Sequence, residues 1–128
     1  MNISNAQDPM PVKSIEDLSP DIIGFSIHNE PTKADYIFMN NLFSEYLQDR
    51  NDIKLLLRLN ALSELEIDHL FEEFKTTFDY YKKRVKVALL LPPNPEEAIN
   101  LGKLVTEDVE IKRFKGTEEP AVDWLLRS

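Results

Sequence analysis

Ser63, within the stretch LLLRLNALSELEID (Leu55 to Asp68), is the hydroxyl best placed to carry chemistry in this chain. It follows an apolar run and stands where a helix begins. Two roles fit. As a cap, its hydroxyl accepts from the backbone N–H three residues on, while the Glu66 carboxylate reaches back, the S-x-x-E capping box. As a phosphorylation switch, its phosphate would gain from the helix N-terminus but meet the negative charges of Glu64 and Glu66. Other helix starts use similar grammar: Thr32 with Asp35, Asn94 with Pro95 and Glu97, and Thr117 with Glu118 and Glu119. Ser63 therefore reads as a cap.

Other chemistries find little purchase. The two histidines are His28, ending an apolar run, and His69, beside Asp68 and Glu72 on a polar helix side. A metal centre needs three or four convergent ligands, and neither histidine has them in sequence. The absence of cysteine removes thiolate ligands, thiol nucleophiles and disulfides. Gly24, Gly102 and Gly116 are isolated, so no glycine-rich loop is available to cradle a phosphate. Carboxylates are scattered over helix faces. No catalytic residue, metal or cofactor is expected.

The aromatic residues carry a stronger pattern. Phe71, Phe74, Phe78 and Tyr81 recur at helical spacing, as do Tyr36, Met39 and Phe43 upstream. One reading is a pair of core stripes; the other is the lining of a pocket for a small apolar, lipid-like ligand. Ile37 and Phe38 extend the upstream stripe beyond one face. With Tyr80 they form either a surface patch for a partner or second copy, or a wider buried face.

The elements that must position these residues follow from periodicity. Val12 to Leu18 is a first strand, Ser19 to Asp21 a turn, and IIGFSIH (Ile22 to His28) a strand returning antiparallel onto it. Lys33 to Arg50 is helical, and Ile53 to Leu59 is a strand apolar enough to be covered on both faces. Glu64 to about Lys83 is a second helix and Val85 to Leu91 a second buried strand. A short helix (Pro95 to about Val105), a strand (Val109 to Phe114) and a last helix (about Glu118 to Leu126) complete the chain. The order β-β-α-β-α-β-α-β-α predicts an α/β fold, with a mostly parallel central sheet and an antiparallel N-terminal edge hairpin.

Length and charge set the bounds. A chain of 128 residues makes one domain, expected over residues 12–128 behind a flexible arm, 1–11. The formal net charge of −8 disfavours phosphate backbones and anionic lipid, so no nucleic acid partner and no membrane insertion are expected. The opening MNISNAQDPMPV lacks a signal-peptide pattern, and no apolar run is long enough to span a bilayer. A cytoplasmic protein is the expectation.

The order and several local pieces resemble the STAS domain, the fold of bacterial anti-sigma-factor antagonists, and within it the SpoIIAA-like branch of small bacterial proteins. The pieces are the hairpin ending GFSIHNEPTKADY, the strands IKLLLRL and VKVALLL, the aromatic helix between them, and the ending VEIKRFKGTEEPAVDWLL with its AVDWL (Ala121 to Leu125). The resemblance covers about Val12 to Leu126. It implies a non-enzymatic, regulatory domain that binds a protein partner or itself, through Asn60, Ala61, Leu62, Ser63, Glu64 and Glu66. Its alternative is a carrier or sensor of a small apolar ligand, because lipid-transfer domains of related fold hold such ligands. Phosphorylated antagonists carry an Asp-Ser-Ser-Gly-like sequence at the second helix start. This chain has NALSELEID there instead.

Overall fold

A computed structural model describes residues 11–60, 62–91 and 108–127. The strands are β1 (Val12–Ser14), β2 (Ile23–Ile27), β3 (Asp52–Leu59), β4 (Arg84–Leu91) and β5 (Val109–Lys115), and the helices α1 (Lys33–Tyr46), α2 (Glu64–Tyr81) and α3 (Glu119–Leu126). The sheet runs β1-β2-β3-β4-β5, with β1 antiparallel to β2 and the other pairs parallel. The α/β fold with an antiparallel edge hairpin is therefore as expected. The helix expected from Pro95 to Val105 lies outside the described residues.

The sheet is covered on both faces, which is why β3 and β4 show no polar alternation. On one face Ile53, Leu55, Leu57 and Leu59 meet Val85, Val87, Leu89 and Leu91 beneath α1 and α2. These helices contribute Met39 and Phe43, and Ile67, Leu70, Phe71, Phe74 and Phe78. On the other face Leu56, Ala88 and Leu90 pack under Ala121 and Leu125 of α3, with Ile15, Leu18 and Ile22 alongside. The side-chain period of two sends alternate strand residues to opposite clusters.

The boundaries that depart most from the sequence reading each have a physical reason. The first strand stops at Ser14 rather than Leu18, because Asp17 takes a left-handed φ of 61° and turns the chain over the second face. There Leu18 and Ile15 press on Gly24, where an added Cβ would stand 2.6 Å from Leu18 Cδ1 and 3.3 Å from Ile15 Cβ. The first helix ends at Tyr46 and tightens into a 3₁₀ turn, Leu47–Asp49, instead of running to Arg50. Its end is tied to the turn before β2. Tyr46 donates its hydroxyl to the Asp21 carbonyl at 2.5 Å, and Arg50 donates to the carbonyls of Pro20 (2.6 Å) and Tyr46 (3.1 Å). The last helix begins at Glu119 with Glu118 as its cap position, so Thr117 makes no cap.

What replaces that cap is a clamp built on the sheet. Arg58 of β3 forms an ion pair with Glu118 at the start of α3. Lys86 of β4 donates to the carbonyls of Trp124 (2.8 Å) and Arg127 (2.7 Å) at its end, and lies 4.4 Å from the Trp124 ring centroid. A cation at a helix C-terminus satisfies carbonyls that lack intrahelical partners. Desolvation lowers the Lys86 pKa, so the ammonium is held there by its acceptors against a cost of burial. Replacing Lys86 with Met keeps the apolar stem but removes both donors. The variant is expected to lose about 1–2 kcal/mol in urea denaturation, with the native far-ultraviolet spectrum retained.

Candidate functional site: the carboxyl edge of the sheet

Ligands of open α/β sheets gather outside the carboxyl ends of the parallel strands. Here that edge is built by the ends of β2 and β3 and the starts of α1 and α2. Asn60 continues the ladder past β3, its N–H donating to the Ile27 carbonyl at 2.9 Å. Its side-chain amide donates to Ser26 Oγ at 3.3 Å, and that hydroxyl stands 3.2 Å from His28 Nε2. Ser26 and His28 share a face because they are two residues apart on a strand. Ser26 is nearly buried and pairs in register with Arg58, so this polar cluster adjoins the ion pair that holds α3.

The helix starts are fixed by reciprocal caps. Ser63 Oγ accepts from Glu66 N at 3.2 Å, and Glu66 Oε1 accepts from Ser63 N at 2.8 Å. Thr32 and Asp35 form the same box at 3.2 and 2.7 Å, and the Thr32 hydroxyl also donates to the Asp35 carboxylate at 2.9 Å. A third link runs from α2 to the loop before α1: His69 Nδ1 lies 3.4 Å from Glu30 Oε1. Among the described residues no group of His, Asp and Glu side chains is arranged to hold a metal ion.

Of the residues expected at a partner surface, Asn60, Leu62, Ser63, Glu64 and Glu66 lie together at this edge, while Ala61 is outside the described residues. Leu62 packs back onto the core; Ser63 and Glu64 are exposed. The apolar set divides. Met39, Phe43, Phe71, Phe74 and Phe78 are buried in the main core, as a core stripe is. Phe43 has its ring centroid 5.7 Å from Phe25, 6.1 Å from Phe74 and 6.4 Å from Phe78, all edge-on. Phe38 is 39% exposed and Ile37 54%, so both point outward from α1, as Tyr80 does from α2. Tyr36 lies between these extremes, half-buried beside the core.

Leu65 was not among the expected residues. It is 65% exposed at the second position of α2, flanked by Glu64 and Glu66. At 100° per residue it falls off the stripe formed by Ile67, Leu70, Phe71, Phe74 and Phe78, so the signal was in the spacing. The Ser26–His28 pair was also visible as two polar residues at alternate strand positions. Its link to Asn60 depends on strand pairing and was not. At the opposite edge an open recess of about 600 Å³ is lined by charges of both signs, among them Asp52, Lys54, Arg84, Lys86 and Glu110.

A mixed five-stranded sheet with helices on both faces makes this an α/β domain, an architecture consistent with the STAS fold. The SpoIIAA-like family model matches residues 22–126, and the chain belongs to that family. Comparisons with curated proteins and with solved structures give no match. Membership is consistent with a regulatory or interaction domain. Among the described residues no helix is long and apolar enough to cross a membrane.

Two measurements check the local chemistry. Ser63→Ala removes one side of the capping box and is expected to cost about 1 kcal/mol in denaturant unfolding, without change of fold. The Tyr36 hydroxyl is pushed up to about 12, first by burial and then by the charges of Glu73, Glu30 and Asp35. The unfolded chain ionises near the ordinary tyrosine value of about 10, so stability is full below that pH and falls between there and 12. Tyr36→Phe is expected to move the midpoint of alkaline unfolding upward; an unchanged midpoint would contradict the assignment.

Proposed function

We propose that this chain is a non-catalytic binding domain that docks a protein partner on its carboxyl edge, across Asn60 to Glu66. The observation carrying the reading is Leu65. A large apolar side chain stands mostly in water on a helix start fixed by a full capping box, so its exposure costs nothing to the core. Interfaces place such side chains at the centre of a patch and polar groups around them. Glu64, Glu66 and Asp68 supply an acidic collar, in keeping with the net charge of −8. The fitting partner therefore presents an apolar pocket with a basic rim.

Ser63 belongs to this surface as the residue that holds its shape. Its hydroxyl is engaged by the Glu66 N–H, and the acidic neighbours oppose added negative charge. The polar cluster of Ser26, His28 and Asn60 supports the same edge from beneath.

Affinity capture with the 128-residue chain, compared with Leu65→Lys and with Phe38→Glu, tests this reading. A partner that depends on the carboxyl edge is expected to bind at least about tenfold more weakly to Leu65→Lys and unchanged to Phe38→Glu, with both variants as stable as the parent. Equal binding by Leu65→Lys would remove the edge as the docking surface. Loss confined to Phe38→Glu would move the surface to α1.

A further inference from the structure

β5 is a seven-residue strand that, among the described residues, pairs with β4 alone. Such an edge offers a row of backbone donors and acceptors to another chain. Which groups it offers follows from the ladder. Val85 N donates to the carbonyl of Asp108 at 2.9 Å, and Val85 stands opposite Val109. In a parallel pair of this phase, even-numbered residues of β5 turn their backbone groups toward β4. The N–H and C=O groups of Val109, Ile111 and Arg113 therefore face outward.

We propose that β5 pairs antiparallel with β5 of a second copy about a two-fold axis through Ile111, joining the two sheets into one. The side chains select this register. Centred on Ile111, the outward groups of Ile111 meet their own symmetry mates, and those of Val109 meet Arg113. Both are hydrogen-bonded pairs. Glu110 then stands opposite Lys112, twice, at the non-hydrogen-bonded positions where side chains approach closest.

Each neighbouring register is worse on charge. A centre on Glu110, on Lys112 or on Arg113 sets a like charge directly against itself, which is destabilising in a cross-strand pair. The faces agree as well. A two-fold axis normal to the sheet keeps Ile111 of both copies on the side of the main core, where Val109 and Ile111 are only partly buried. Glu110 and Lys112 stay on the opposite side and are exposed, Glu110 in register with Lys86 of β4 and Lys112 with Ala88. Lys112 lies 5.5 Å from the Phe114 ring centroid on that same side of the sheet. This surface is distinct from the carboxyl edge, and a copy paired through β5 leaves Leu65 uncovered.

Sedimentation equilibrium of the full chain over a concentration series, at low and high salt, tests the pairing. The parent is expected to be a dimer that weakens with salt. Glu110→Lys and Lys112→Glu each replace two attractions with two repulsions and are expected to raise the dimer Kd by at least about tenfold. The double variant exchanges the charges and is expected to restore the parent Kd, with thermal melts confirming that all four proteins are folded. A monomeric parent at high concentration would overturn the proposal. So would a dimer that the single reversals leave unchanged, or one that the double variant fails to restore.

Discussion

The structure depends on β3 and β4 being buried on both faces. Leu55, Leu56 and Leu57 are consecutive and all fully buried, which is possible only if each side of the sheet has its own cover. One cover is α1 with α2, wide and rich in phenylalanine. The other is the small layer of α3 and the segment leading into β2. That second layer buries little by itself, and an eight-residue helix is a marginal structure without tertiary support. The cations of the sheet supply part of that support, with Arg58 at one end of α3 and Lys86 at the other. Charges inside a nearly apolar sheet face are thus explained by the helix they hold.

The same constraint shapes the carboxyl edge. Because β2 and β3 are fixed from both sides, their ends present Ser26, His28 and Asn60 in a defined arrangement, and the two capping boxes then set where α1 and α2 begin. The loops are short and tied by side chains at each end. Leu65 is exposed on this edge because the helix it belongs to is already anchored by five buried apolar residues on its other side. The proposed docking surface is held in shape by these caps, and such preorganisation lowers the cost of binding.

What was legible in the sequence was what local chemistry decides. The caps at Thr32 and Ser63 are fixed by residues within one turn, and the unbroken apolar runs of β3 and β4 declared two-sided burial before any helix was placed. The failures are non-local. Thr117 has the residue type of a cap, yet α3 starts one residue later, with Glu118 drawn to Arg58 on a distant strand. The strand through Leu18 was expected from its apolar residues, but Ile15 and Leu18 serve the second layer instead of the sheet. In the same way the Ser26–Asn60 contact exists only through the β2–β3 register. Spacing alone could not decide whether Phe38 faced core or water, because its helix has apolar residues on more than one side.

Native-state hydrogen exchange across a denaturant series measures most directly whether the two covers and the sheet stand or fall together. Amides of β3 and β4 and those of α3, such as Val122 bonded to Glu118, should exchange through one global opening with the same denaturant dependence. If α3 opened at much lower free energy while β3 and β4 kept their full protection, the second layer would not be a structural partner of the sheet. The account of the clamp, and of the edge it supports, would then be wrong.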